Sequence, residues 1–345
     1  MNVLIAGAHG TAGHSLVKSF QAQPGFRLTT ISRRAEGLTG YRHVPLDLLD
    51  EAATREVRTA LQDSELVIFA ARAPGLNADQ EASRNLAMLR NLITAIDGRG
   101  SKLRRVCLIH GTKWYGCHRG PYPVPAREDD PRGPGPLFYF DQYDWLTERR
   151  RCRPWDIVTL RPHTIWGFAE STNNLITLVA TYAAIQRARG LPLYFPGPVA
   201  TYEKRSQATA AELLGQAAVW ACTSSHTKDR DFNIANGDTF SWRTLWPRIA
   251  DSFGMQAGGP GRGSFASAFA GADEVWRALR QEHGLLRNRL ADLASPAYGD
   301  GLFACTWDDV SSMDAARAAG WTVALESETA FLKNLSELRQ ARVVP

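Results

Sequence analysis

The chain has 345 residues with 44% apolar content and a formal net charge of +5. That is enough to bury a sizeable core, and too mild a charge to call for nucleic acid. No apolar run approaches the roughly 18 residues of a membrane helix. Five cysteines at 107, 117, 152, 222 and 305 form no CxxC pair, and their number is odd. This favours reduced thiols in a cytoplasmic protein over a disulfide framework. Met1-Asn2 runs directly into Val3-Leu4-Ile5, so no secretory signal is expected.

Residues 3–6 are a short apolar run, predicted as a buried parallel strand. It meets Gly7-Ala8-His9-Gly10-Thr11-Ala12-Gly13 and then a helical pattern through Leu16, Val17 and Phe20. Strand, glycine turn and helix together form the context that a dinucleotide fingerprint requires. Glycines let the backbone approach a pyrophosphate, and the helix N-terminus supplies free N–H groups. The spacing is GxxGxxG, the form used by short-chain dehydrogenase relatives, so Gly7, His9, Gly10, Thr11, Ala12 and Gly13 are expected cofactor contacts.

A second strand over residues 28–31 ends at Ser32-Arg33-Arg34. An acid at this place suits the 2′-hydroxyl of NAD, whereas arginine accommodates a 2′-phosphate. Two arginines predict NADP(H). Residues 44–48 read as a third strand, with Asp47 and Leu48 near the adenine site. Residues 66–71 read as a fourth, ending in Ala70 and Ala71, small enough for close passage by the cofactor. Asn85, Met88 and Asn91 share one face of the following helix. The alternation of strands and helices predicts an α/β fold, a Rossmann-type doubly wound parallel sheet.

The apolar run at 106–109 delivers Gly111-Thr112-Lys113-Trp114-Tyr115-Gly116 to a strand end, where open α/β sheets bind ligands. No tyrosine in the chain starts a Tyr-x-x-x-Lys motif, the usual catalytic pair of short-chain reductases. Lys113 is the obvious alternative source of the lysine. Cys107 and His110 lie three apart on a strand and so point to opposite faces, which argues against a metal site with Cys117 and His118. The arginines at 149, 150, 151 and 153 read as an exposed helix end rather than a nucleic-acid surface.

With Phe138-Tyr139-Phe140-Asp141, Arg161 to Phe168, Phe232 to Asp238 and the closing Arg342-Val343-Val344-Pro345, this stretch resembles the progesterone 5β-reductase/iridoid synthase-like reductases. These are an atypical branch of the extended short-chain dehydrogenases, and the resemblance runs essentially the full length. It implies that Lys113 and Tyr139 are the catalytic pair and also touch the cofactor. The second tyrosine of the family's Phe-Tyr-Tyr motif is Phe140 here, and Thr164 stands where asparagine is common. Independently, hydride addition to an enone drives charge onto its carbonyl oxygen, which a tyrosine O–H stabilises. A nearby ammonium is expected to lower the tyrosine's pKa.

A further buried strand over 156–160 leads into Arg161-Pro162, with Pro162, Thr164 and Ile165 following on the cofactor side. Residues 1–165 are predicted as mainly the NADP-binding domain. Residues 166–345 are predicted as mainly a smaller substrate-binding region, partly interleaved with it. Helices are expected over 175–188, 210–221, 273–284, 313–319 and 328–338, and a strand over 191–195. Trp114, Phe138, Trp166, Phe168 and Phe195 are candidates to line an apolar pocket. Residues 258–272, rich in Gly, Ser and Ala, read as a mobile loop and a candidate lid.

The expected activity is NADPH-dependent 1,4-reduction of a small apolar enone or enal, without nucleic-acid or membrane partners. Direct carbonyl reduction, a cofactor-retaining isomerase, cyclase or epimerase, and a non-enzymatic NADP sensor remain alternatives. A homodimer is compatible with the chain, whose sequence does not set the oligomeric state.

Overall fold

The computed structural model describes residues 1–34, 40–168, 172–286 and 289–345. Seven strands form one parallel sheet: β1 (Asn2–Ala6), β2 (Arg27–Ser32), β3 (Arg42–Pro45), β4 (Leu66–Phe69), β5 (Arg105–Ile109), β6 (Asp156–Pro162) and β7 (Arg230–Ile234). Their spatial order is β7-β6-β5-β4-β1-β2-β3. Both faces of such a sheet are covered, which is why the central strands are continuous apolar runs. Leu4 and Ile5, Val67 and Ile68, and Val106 to Leu108 are fully buried.

The order reverses at β1 and β4, and a crevice opens beyond the carboxyl ends of strands at such a reversal. The helices used below are α1 (Thr11–Gln21), α2 (Ala78–Ile96), α3 (Phe138–Arg150), α4 (Leu175–Ala188), α5 (Ala211–Thr223), α6 (Trp242–Ser252), α7 (Phe265–Phe269), α8 (Pro296–Phe303) and α9 (Ser327–Gln340).

Strand limits differ slightly from expectation. β3 ends at Pro45, because the Asp47 carboxylate accepts from the Leu49 amide at 3.0 Å and turns the chain out of the sheet. β4 pairs only as far as Phe69, although Ala70 N still donates to Ala6 O at 3.0 Å.

The second half joins the first rather than hanging from it. α5 packs along α1 so closely that a Cβ at Gly215 would lie 2.2 Å from Ser19 Oγ. β7 pairs with β6 inside the main sheet. A separate apolar core forms around α4, which is buried on nearly every face, together with α6, α7, α8 and α9.

That core overturns two expectations. Trp166 and Phe195 do not line an open pocket: they are 1% and 0% exposed and lie among the rings of Phe240, Trp242, Trp246, Phe303 and Phe331. Residues 258–272 are not a loose loop either. Ala257–Pro260 pairs with Leu193–Phe195, and Ser264 and Ser267 form a reciprocal capping box on α7. Phe265 is fully buried, and Asp300 accepts hydrogen bonds from the amides of Phe265 and Ala266. Abundant small residues masked two phenylalanine anchors, and burial of those rings orders the segment.

Candidate active site

The glycine turn is shaped by backbone approach. Gly7 has φ +91°, and a Cβ there would meet Ala70 and Ala71 backbone at 2.7 Å. A Cβ on Gly13 would fall 2.0 Å from Gly7 O. Gly10 differs: its Cβ would find only Gly7 O at 3.7 Å, so the fold itself tolerates a side chain there. Gly10 is the N-cap of α1 and offers no side-chain cap, so first-turn amides stay available to an anion. Turn, helix end and flanking Ala70-Ala71 backbone therefore fit a dinucleotide pyrophosphate.

The basic turn after β2 is braced by a residue sequence reasoning missed, His43 on β3. Its Nδ1 accepts from Thr30 Oγ1 at 2.7 Å, and its Nε2 donates to Arg34 O at 2.9 Å. The Arg34 amide donates to Ser32 Oγ at 3.3 Å. Arg33 and Arg34 are exposed there, as a 2′-phosphate site needs. A histidine on a short third strand gives no signal in sequence, because its partners are set only by the β2–β3 register.

The opposite side of the crevice is built on β5 and β6. After Ile109 the chain enters a 3₁₀ turn, Thr112–Tyr115, closed by Gly116 at φ +86°. Two buried anchors fix it from below. The Trp114 ring lies 4.0 Å from the Arg161 guanidinium carbon, and Tyr115 donates to Asn233 Oδ1 at 2.7 Å. Arg161, 1% exposed, also donates to Tyr115 Oη at 3.0 Å and pairs with Asp231 at 2.5 Å. Burial pushes the Tyr115 hydroxyl up to about 12, against the pull of Arg161. Trp114 is thus a packed platform, 4% exposed, rather than an open pocket wall.

Lys113 projects from this turn and reaches solvent. The crowding cleft walls, and then the Arg72 charge, hold its ammonium below the usual lysine value. Tyr139, in the first turn of α3, places its hydroxyl 3.3 Å from where a Gly111 Cβ would stand. Pro162 O of β6 lies 3.3 Å from the same point. The missing side chain at 111 therefore creates the space in which the Tyr139 hydroxyl sits.

Burial raises the Tyr139 hydroxyl above its ordinary value, and Arg72 only partly opposes this. This corrects the expectation of a lowered tyrosine: at neutral pH Tyr139 is an intact O–H donor. Phe138 packs edge-on against it at 4.5 Å. Phe140 lies edge-on to Trp114 at 5.1 Å and serves packing. Phe168 is half-buried beside His14, with ring centroids 6.0 Å apart. The Thr164 carbonyl accepts from Thr209 N at 3.1 Å.

Two further features were not foreseen. His110 stacks on Tyr139 at 4.5 Å and on Trp114 at 6.0 Å, near-parallel to both. Burial, with Arg161 nearby, lowers it to about 3, so it stays neutral. Separately, Ser311, His163 and Asp309 line up at 2.9 Å and 3.5 Å, like a hydrolytic triad. Ser311 and His163 are each only 3% exposed and lie within packed structure, so this group joins elements rather than meeting substrate.

Comparison with known proteins agrees with this architecture. Residues 48–345 match the model of the PRISE-like Rossmann-fold domain. The chain belongs to that family. It is 34% identical to the short chain dehydrogenase gsfE of Penicillium aethiopicum over 76% of this chain and 74% of that one. It is 28% identical to a 3-oxo-Δ(4,5)-steroid 5β-reductase of Arabidopsis thaliana, covering 99% and 92% of the two chains. An (S)-8-oxocitronellyl enol synthase of Nepeta racemosa is 27% identical over 99% and 91%.

Among solved structures, the UDP-glucose 4-epimerase of Thermotoga maritima superposes with a TM-score of 0.71 at 14% identity, over 99% of both chains. A short-chain dehydrogenase/reductase superfamily protein of Agrobacterium tumefaciens with bound NAD gives 0.67 at 16% identity, over 99% and 98%. The PRISE-like chain is accordingly an oxidoreductase of nicotinamide-cofactor type. Among the described residues, no helix is long and apolar enough to cross a membrane.

Proposed function

We propose that this PRISE-like protein is an NADPH-dependent reductase of activated carbon–carbon double bonds, adding hydride to the β-carbon of a small enone or enal. One observation carries the reading: a protonated Tyr139 hydroxyl sits against Gly111 at the end of β5, two residues before Lys113. The names of the relatives, a steroid 5β-reductase and an oxocitronellyl enol synthase, support the same chemistry.

Gly7, Gly10, Thr11 and Gly13, with the first-turn amides of α1, would hold the cofactor's pyrophosphate, and Ser32, Arg33 and Arg34 its 2′-phosphate. The nicotinamide, when bound, supplies the hydride. Tyr139 donates a hydrogen bond to the carbonyl oxygen as charge develops there, and the resulting enolate takes up a solvent proton at its α-carbon to give the saturated carbonyl. Removing a donor of this kind typically costs about 10²–10³ in rate. Lys113 adds positive charge beside that oxygen and favours the anionic transition state over the neutral ground state. Phe138, which packs on Tyr139, keeps water from the hydroxyl's apolar side.

The test is NADPH oxidation with 2-cyclohexen-1-one, 8-oxogeranial and progesterone, followed by product analysis. Turnover to saturated carbonyl products is expected, with Tyr139→Phe slowed by about 10²-fold or more. Absence of turnover on every substrate, or unchanged rates in Tyr139→Phe, would sink the proposal. Allylic alcohol products would move the reading to direct carbonyl reduction.

A further inference from the structure

Arg72 stands where β4 leaves the sheet, and a wholly apolar substrate gives it nothing to do. Phe69 of β4 pairs with Leu108 of the neighbouring β5, so the segments carrying Arg72 and Gly111 leave the sheet at the same end from adjacent strands. Gly111 is the position whose bare backbone admits the Tyr139 hydroxyl. The Arg72 charge is felt at Lys113, at Tyr139 and, from the other half of the molecule, at Tyr298 of α8. It therefore adds positive charge at the sheet end that carries Lys113 and Tyr139.

Its guanidinium is oriented but not used up. Nε donates to Glu81 Oε1 at 2.8 Å, and Nη2 lies 2.6 Å from the same oxygen. Both contacts go to one carboxylate oxygen, and Nη1 has no partner among the described residues. The Arg72 side chain is 53% exposed, Glu81 only 25%. Glu81 sits in the first turn of α2, where the helix end already favours a carboxylate. The pair thus behaves as a tethered cation: Glu81 holds one edge and the rest reaches solvent. With Lys113 on the same crevice, two cations meet one acid.

We infer that the substrate is an enone bearing a carboxylate, and that Arg72 binds this carboxylate while Tyr139 meets the conjugated carbonyl. This rests on the enone-reductase reading and narrows its small enones to those that carry an anionic group, in place of the apolar ones expected from sequence. Arginine presents a planar fork that matches a carboxylate, which lysine lacks.

The experiment compares kcat/KM for (E)-4-oxopent-2-enoate and its methyl ester, with NADPH, in the native protein and in Arg72→Met and Arg72→Lys. The native protein should prefer the acid by about 10–100-fold, the scale of a charge-assisted hydrogen bond. Arg72→Met should collapse that ratio toward unity, through KM for the acid and not for NADPH. Arg72→Lys should keep part of it, and added salt should erode the native preference.

Equal or better use of the ester by the native protein overturns the inference, as does an acid-to-ester ratio unchanged in Arg72→Met. A loss confined to KM for NADPH overturns it too, by assigning Arg72 to the cofactor. In these cases turnover of 2-cyclohexen-1-one leaves the reductase reading standing. If no enone is reduced, that reading falls, and calorimetric binding of 4-oxopentanoate to the NADP⁺-loaded protein decides the anion site. Binding that Arg72→Met weakens supports it, and binding absent or unchanged overturns it.

Discussion

In the proposed reaction Tyr139 and Lys113 are displaced from their ordinary acidities in opposite directions. Burial keeps the Tyr139 proton in place well into the alkaline range. Crowding and the Arg72 charge make Lys113 lose its proton below the usual 10.5. The ammonium is the charged form, so its contribution is present at low pH and fades as pH rises through that lowered value. The basic limb of the kcat/KM profile should therefore belong to Lys113 and fall below 10.5. Lys113→Arg should move it upward, since guanidinium stays charged past pH 12. A limb that does not move on this substitution would assign it to another group. His110, held near 3, should add no inflection around 6.5. At this scale the sequence named Lys113 from its place at a strand end. It could not foresee that Tyr139 would be raised, because burial of the hydroxyl depends on how α3 seats against β5 and β6.

At the scale of elements, the glycine turn separates two demands that a GxxGxxG pattern merges. Gly13 serves the fold: a Cβ there would lie 2.0 Å from Gly7 O and 2.8 Å from Ala8 backbone. Gly10 has no such conflict and is free to serve a ligand. Gly13→Ala should lower stability by about 1–3 kcal/mol or more, as forced overpacking does. Gly10→Ala should change stability by less than about 0.5 kcal/mol while weakening NADPH binding roughly tenfold. Urea titration and cofactor fluorescence measure the two effects separately. If Gly10→Ala binds NADPH normally, the pyrophosphate does not lie against that N-terminus. The segment 258–272 teaches a different lesson at the same scale. Its small residues were legible, but the partners of Phe265 and Phe269 were not. Only the packing of α7 against α4 and α8 makes those rings buried anchors.

Across the whole molecule, β6 and β7 tie the second half of the chain to the reactive turn. Arg161 on β6 holds Asp231 of β7, Tyr115 Oη, the Glu128 carbonyl and the face of Trp114. Removing one member of a buried ion pair strands the other's charge and costs about 3–5 kcal/mol. Asp231→Ala should destabilise the protein by that order in chemical denaturation and loosen the turn bearing Lys113. A change below about 1 kcal/mol would mean that the remaining partners suffice for Arg161.

The sequence by itself determined six of the seven sheet strands, leaving β7 unassigned, together with the glycine turn, the basic residues after β2 and the position of Lys113. These follow from local periodicity, glycine spacing and the absence of Tyr-x-x-x-Lys, none of which needs a distant partner. It misassigned Trp166 and Phe195, because a pattern of apolar rings does not distinguish a pocket from a core. Tertiary structure decided that they pack together with Trp242 and Phe303. It likewise brought His43 under Arg34 and His110 onto Tyr139. The first follows from the β2–β3 register and the second from the seating of α3 on the sheet, and both are properties of the folded molecule alone.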